Sequence, residues 1–410
     1  MSYKPLYYLI SSVLVTTFFI GCKPDTKLKY TENTEISESL VISDTLPWSE
    51  RLAESIIKRH PEAWQTEGSE RPEWNYKIGL LLTSFEGLYE SSGKKQYKDY
   101  IKTFADTLIN EFGVIKGYER EKFNIDMINS GKILFNLYEE SKDSKYIVAL
   151  DTLRSQLKSH PRTSSNGFWH KKIYPNQMWL DGLYMGAPFY AQYNTLFENG
   201  DKLDDIAYQF ELIWEHTIDS ETGLLYHAWD ESKQMDWADK TTGKSPNFWS
   251  RSMGWYAMAL VDVLDYFPKD HPKRALLISY LNQLSEALVK FQDESGLWYQ
   301  VTDMAERKGN YLEASGTCMF IYAFAKGVKK GYLPSIYRTY ADRGFKGMID
   351  NLVEVEKDGE VHITNICKSA GLGGNPYRDG SFEYYISEPI VTDNLHGTGP
   401  FILAANELQQ

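Results

Sequence analysis

The sequence predicts an all-α fold, an (α/α)6 barrel of six helical hairpins in an inner and an outer ring, with short strands and loops at one mouth. Three observations lead there. Six segments place a glycine near a helix start and then carry apolar and aromatic residues on one face: 79–89, 131–138, 182–193, 254–267, 316–324 and 399–406. Each interval between them holds one further amphipathic helix, at 94–112, 146–157, 203–216, 274–291 and 335–353. Several intervening helices run into a turn with Gly167, Gly223, Gly296 or Gly359, then a short alternating stretch. Internal periods of this size mark stacked supersecondary units. An open α-solenoid is the alternative, but six irregular units with long loops favour closure.

Residues 1–21 read as a lipoprotein signal peptide, with Lys4 before an apolar run over 6–20. That run is short for a membrane-spanning helix. Ile20-Gly21-Cys22 is similar to a lipobox, so Cys22 is expected to be lipidated after cleavage. An ordinary signal peptide or an uncleaved anchor is the alternative. Residues 22–45 are Thr-, Ser- and Glu-rich without helical period and read as a polar tether. Residues 46–410 carry no second composition shift and read as one barrel domain. Its inner helices are expected to begin near Asn75, Asp126, Asp181, Arg251, Glu313 and Asn394. The small residues at their starts let them approach closely.

The formal charge of −12, without a basic block, argues against a nucleic-acid partner. Cys318 and Cys367 are the other two cysteines. One bridge between them is possible, but they read as small buried apolar groups. No Walker loop, dinucleotide fingerprint, zinc signature or nucleophile elbow is present, so neither cofactor nor metal is expected.

Residues 167–193 pack Trp169, Tyr174, Trp179, Tyr184, Phe189, Tyr190 and Tyr193 around His170, Lys171 and Asp181. Aromatics beside a carboxylate suit sugar handling. Asp126 and Arg251 stand at two other helix starts. In a barrel all inner helices begin on one side, so Asp126, Asp181 and Arg251 converge there, and His170 and His227 reach the same mouth from strand-like pieces. The bland alternatives are an N-cap for either aspartate, satisfied polar roles for the histidines and an interhelix bridge for Arg251. Arg251 between Trp249 and Trp255 nevertheless suits a planar carboxylate. Trp179, Trp249 and Trp255 either stack on sugar rings or fill core. Glu313 and His396 are weaker candidates.

The set Asn124-Ile125-Asp126, His170-Lys171, residues 177–185 (QMWLDGLYM), His227 and residues 249–255 (WSRSMGW) resembles glycoside hydrolase family 105, the unsaturated rhamnogalacturonyl hydrolases. The likeness runs from about Trp48 to the C-terminus. It implies an (α/α)6 barrel that acts on lyase-generated oligosaccharides with a 4,5-unsaturated uronyl end. Asp181 resembles the general acid/base and Asp126 the second essential aspartate. His170, Lys171, His227, Arg251, Trp249 and Trp255 resemble substrate-contacting residues, and Trp179 is counted with them as a sugar-stacking candidate. The implied reaction hydrates the C4=C5 bond, with Asp126 expected to keep Asp181 raised by like charge. Left open are an unsaturated glucuronyl hydrolase, an inverting glycosidase and a non-catalytic sugar-binding lipoprotein. The expected location is the periplasmic side of an outer membrane, with Cys22 as the only membrane attachment.

Overall fold

Extended residues precede each inner helix, and several supply the cap. Asn75 accepts from the Lys77 N–H, Asn124 from the Asp126 N–H and Glu313 from the Gly316 N–H. The computed structural model describes residues 41–409. The expected signal segment and Cys22 lie outside the described residues. In chain order the helices are α1 (Trp48–Arg59), α2 (Tyr76–Ser92), α3 (Lys95–Leu108), α4 (Leu134–Ser141), α5 (Ser144–Ser159), α6 (Leu180–Phe197), α7 (Leu203–Thr217), α8 (Ser250–Val263), α9 (Arg274–Val289), α10 (Ala314–Lys329), α11 (Ile336–Asn351), α12 (Phe382–Ser387) and α13 (Leu395–Gln409). A 3-10 segment, Ile125–Ile133, leads directly into α4.

The inner ring closes. α2 packs on the 3-10 segment, which packs on α6, and the order continues through α8, α10 and α13 back to α2. Each expected inner start falls within one residue of the observed one. The second unit differs in kind, since its first nine residues are 3-10 rather than α. Inner helices are apolar on nearly all sides, as a doubly packed helix must be. α10, for example, buries every residue from Ala314 to Gly327. Outer α3 is instead two-faced and buries Tyr97, Tyr100, Ile101, Phe104, Ala105 and Leu108.

Glycine permits the close inner contacts. A Cβ at Gly79 would stand 2.6 Å from the Ser130 Cα, and one at Gly316 would stand 3.0 Å from the Ser250 carbonyl carbon. Neither backbone can retreat without moving a neighbouring helix.

Helices α3, α5, α7, α9 and α11 each pack outside the inner helix that precedes them. The sixth outer helix was not foreseen. It is α1, which packs against α13 at the opposite end of the chain. The Ser49 hydroxyl donates to Gln409 Oε1 at 3.0 Å across that seam. The expected tether also ends earlier than residue 45. Ile42 is buried, and its N–H donates to the Asp358 carbonyl at 2.8 Å.

The extended pieces after the outer helices are short. Bridges join Arg162 to Phe168 and Ile218 to Leu225, while β3 (Val353–Val355) pairs antiparallel with β4 (Val361–Ile363). Two further antiparallel pairs lie at the mouth. β1 (Gln177–Trp179) pairs with β2 (Ala228–Asp230), and β5 (Ile366–Cys367) with β6 (Ile390–Val391). Cys318 and Cys367 are both free and buried.

Candidate active site

Asp126 enters from the 3-10 segment. The loop that follows α5 docks on this corner through its backbone. Asn124 bridges Lys171, and the Ile125 N–H donates to the His170 carbonyl at 3.2 Å. That docking places two side chains on one carboxylate. Lys171 Nζ lies 2.6 Å from Asp126 Oδ2, and His170 Nε2 lies 3.4 Å from Oδ1. Burial would lower the Lys171 ammonium, but Asp126 outweighs it and holds it above its usual value. Burial pushes His170 down to about 4, so its ring is neutral at neutral pH.

Asp181 is placed by strand register. Trp179 of β1 faces Ala228 of β2, and the Leu180 N–H donates to the His227 carbonyl at 3.0 Å. One residue further, Asp181 meets the His227 ring, with Nε2 3.1 Å from Oδ2. An ionised carboxylate only accepts, so Nε2 carries the hydrogen. The Tyr385 hydroxyl lies 2.7 Å from Nδ1. Burial raises that phenol well above its usual value, so it keeps its proton and donates to the ring. Tyr385, His227 and Asp181 thus form one directed chain.

One alternative and one expectation for Asp181 are corrected here. It is not the cap of α6, because Trp179 holds that position and no side chain caps there. Its carboxyl is also held below, not above, the usual carboxylate value. Burial pushes it up, but its contact with His227 outweighs burial. The donor on His227 sets this carboxyl in the free protein, rather than the like charge of Asp126.

The expected aromatics do different work. His170, Trp179 and Tyr174 form a nearly parallel stack, with centroids 4.5 and 5.0 Å apart in turn. Trp249 lies 4.9 Å from His227, and its Nε1 donates to Gln300 at 3.0 Å. Trp255 sits deeper and packs on Tyr184 at 4.9 Å. Arg251 lies over the Trp249 ring at 5.1 Å, so one tryptophan rather than two flanks it. Its Nε donates to Ser315 at 2.7 Å, and its Nη2 donates to the Cys367 carbonyl. Buried Glu313 lies 3.6 Å from Nη2. Glu313 is therefore Arg251's buried counter-ion as well as the cap of α10. Arg251 bridges elements, as its bland reading held, while standing at the mouth.

Tyr76, absent from the sequence-based set, joins these groups. It stands within the fields of Asp126, Arg251 and Asp181, and its hydroxyl is 2.8 Å from His396 Nε2. Burial and the nearby Arg251 charge hold His396 well below its usual value. A tyrosine directly after the Asn75 cap was the available signal. Tyr385 offered none, since it belongs to α12, a six-residue helix in a stretch without period.

The family model described as Glycosyl Hydrolase Family 88 matches residues 48–410. The solved structure of a family 105 glycoside hydrolase from C. acetobutylicum ATCC 824 is 48% identical with a TM-score of 0.85, covering 89% of this chain and 99% of its own. Protein Atu3128 of Agrobacterium fabrum is 35% identical over 229 residues, 54% of this chain and 97% of that protein. Unsaturated rhamnogalacturonyl hydrolase YesR of Bacillus subtilis is 26% identical over 316 residues, 74% of this chain and 84% of that enzyme.

Proposed function

This chain belongs to Glycosyl Hydrolase Family 88 and its family 105 relatives, and from that premise we propose that it removes an unsaturated galacturonyl group from rhamnose at the non-reducing end of lyase products. The named activity of YesR supports the choice of galacturonyl and rhamnose. One observation carries the assignment of roles. Two carboxylates at neighbouring inner-helix starts stand in opposite surroundings, Asp126 neutralised by Lys171 and Asp181 served by the Tyr385–His227 chain.

Asp181 donates a proton to C4, and positive charge develops at C5 and the ring oxygen. Water adds at C5 and returns its proton to Asp181. The hemiketal then opens and releases the remaining sugar. The free-protein Asp181 is ionised, so the donor forms in the complex. The substrate carboxylate brings a like charge and displaces water, and both raise a carboxyl pKa. Lys171 and the Nη1 arm of Arg251 hold that carboxylate. Asp126 orients the sugar hydroxyls through the position that His170 and Lys171 give it. The outward end of the ring stack, Tyr174, lines a cavity of about 490 Å³ with Tyr377, Arg378, Tyr384 and Glu388, suited to the leaving sugar. The lipobox-like Ile20-Gly21-Cys22 supports attachment through a lipidated Cys22 to the periplasmic face of an outer membrane.

Incubation with lyase-treated pectin fragments tests the reading. Loss of the ultraviolet absorbance of the conjugated double bond is expected. A preference for glucuronyl products over rhamnogalacturonan fragments overturns the substrate assignment, and unchanged absorbance with every lyase product overturns the reaction.

A further inference from the structure

The barrel has a second chamber. Residues near the C-terminal ends of all six inner units enclose a cavity of about 410 Å³ on the side away from Asp126 and Asp181. Glu86 and Glu90 come from α2, Lys132 from the 3-10 segment, Gln192 from α6, Asp262 from α8, Lys326 from α10 and Asn406 from α13. A layer of rings separates the chambers. Tyr184 stacks on Trp255, and Trp255 in turn meets His396 of the catalytic mouth at 6.2 Å.

Among the described residues, the lysines of this chamber are ion-paired except one. Lys326 Nζ lies 2.7 Å from Asp262 and 2.9 Å from Asp265, and Lys330 lies 3.1 Å from Asp265. Asn136 donates to Glu90 at 3.2 Å. Lys132 is buried, and its Nζ has no hydrogen-bond partner among the described residues. It rests 3.8 Å above the Tyr184 ring, whose hydroxyl is likewise without a partner. A ring face attracts an ammonium, but it accepts none of its three N–H donors in the manner of an oxygen. Burial and the neighbouring Glu90 push Glu86, on the same wall, up to about 8. Burial pushes Lys132 down to about 8, and a ligand anion would hold its proton in place.

The missing partner is thus an anionic oxygen that accepts from the Lys132 ammonium. Amides and hydroxyls of Gln192, Asn136, Asn406, Ser91 and Thr83 are also on the wall. Those groups match a hydroxylated body. The volume lies within the range of about 300–1,000 Å³ usual for small-ligand pockets. Clusters of His, Cys, Asp and Glu able to hold a metal ion are absent among the described residues. The last turns of the inner helices also carry negative potential into the chamber, which favours one anionic group at Lys132 over a multiply charged phosphate ester. We infer that this distal chamber is a second ligand site, which takes a small polyhydroxylated monocarboxylate with its carboxylate on Lys132.

Calorimetric titration with galacturonate, and with galactose as the neutral counterpart, tests this. Lys132→Met keeps the length and removes the charge. Gln192→Trp fills the chamber from its wall without touching Lys132. Lys171→Met removes a cation from the catalytic mouth instead. Galacturonate should bind Lys132→Met and Gln192→Trp at least tenfold more weakly than the parent protein, while Lys171→Met keeps this binding and galactose shows none. Both distal variants should still hydrolyse the unsaturated substrate, which confirms their fold and separates this site from the catalytic one. If Lys132→Met does not fold, Gln192→Trp decides. Galacturonate binding that survives in the folded distal variants, disappears in Lys171→Met alone, or is matched by galactose overturns the inference.

Discussion

Replacing Asp181 with asparagine separates chemistry from structure at this site. The carboxylate accepts from His227 Nε2 at 3.1 Å and does not cap α6. An asparagine Oδ1 at the same place accepts the same hydrogen bond. The stability cost is therefore the difference between a charge-assisted and a neutral bond, about 1 kcal/mol. For a domain of this size that corresponds to a fall in Tm of about 1–2 °C. Turnover should fall far more, because the amide has no proton for C4. Loss of a positioned general acid costs about 10²- to 10⁴-fold, or about 3–5 kcal/mol in the barrier. The assay follows the absorbance of the conjugated double bond under saturating substrate, beside a thermal melt of the same sample. A variant that melts normally and keeps near-parental turnover refutes Asp181 as the donor and turns attention to Asp126. A variant that fails to fold refutes the claim that the residue is structurally dispensable.

Tyr385→Phe removes the donor that fixes the His227 tautomer, so kcat should fall about tenfold with little change in KM; an unchanged kcat counts against the directed chain. Arg251→Ala leaves Glu313 buried without its cation, which should cost about 3–5 kcal/mol. Its melting temperature must therefore be read beside any rise in KM, and a normal melt would contradict the buried pair. Gly79→Ala forces a Cβ toward the Ser130 backbone and should destabilise by about 1–3 kcal/mol, seen as a lower denaturation midpoint. His160 and His170 are each lowered by burial from 6.5 to about 4. Between those values the unfolded chain binds more protons, so stability should fall as pH falls from about 6.5 to 4. A flat melting profile across that window would be the contrary result.

The inner ring was readable because each of its helices begins with the same chemistry, a glycine or other small residue before aromatics. α1 was not, because its inner partner α13 lies at the far end of the chain and no local pattern links them. The 3-10 geometry of Ile125–Ile133 was equally hidden, since its sequence has ordinary helical composition. At the mouth, Asp126, Lys171, His170, Asp181 and His227 could be grouped because helix starts and strand-like pieces share one side. Their partners could not. Tyr385 reaches His227 across 158 residues, and Cys367 reaches Arg251 across 116. The depressed carboxyl of Asp181 follows from its contact with His227, 46 residues away, whereas the sequence alone points to the neighbouring charge of Asp126 as decisive.

The seam between α1 and α13 has a consequence for how the ring is made. Every other hairpin is local and can form while the chain is still incomplete. The seam joins residues 360 positions apart, as the contact from Ser49 to Gln409 records. Closure must wait for the final helix, and an open ring leaves the apolar flanks of α2 and α10 uncovered. Deleting α13 should therefore yield an aggregating chain rather than a smaller barrel. A circular permutant with the two ends joined and new termini in an outer loop should instead close through a local hairpin and refold faster.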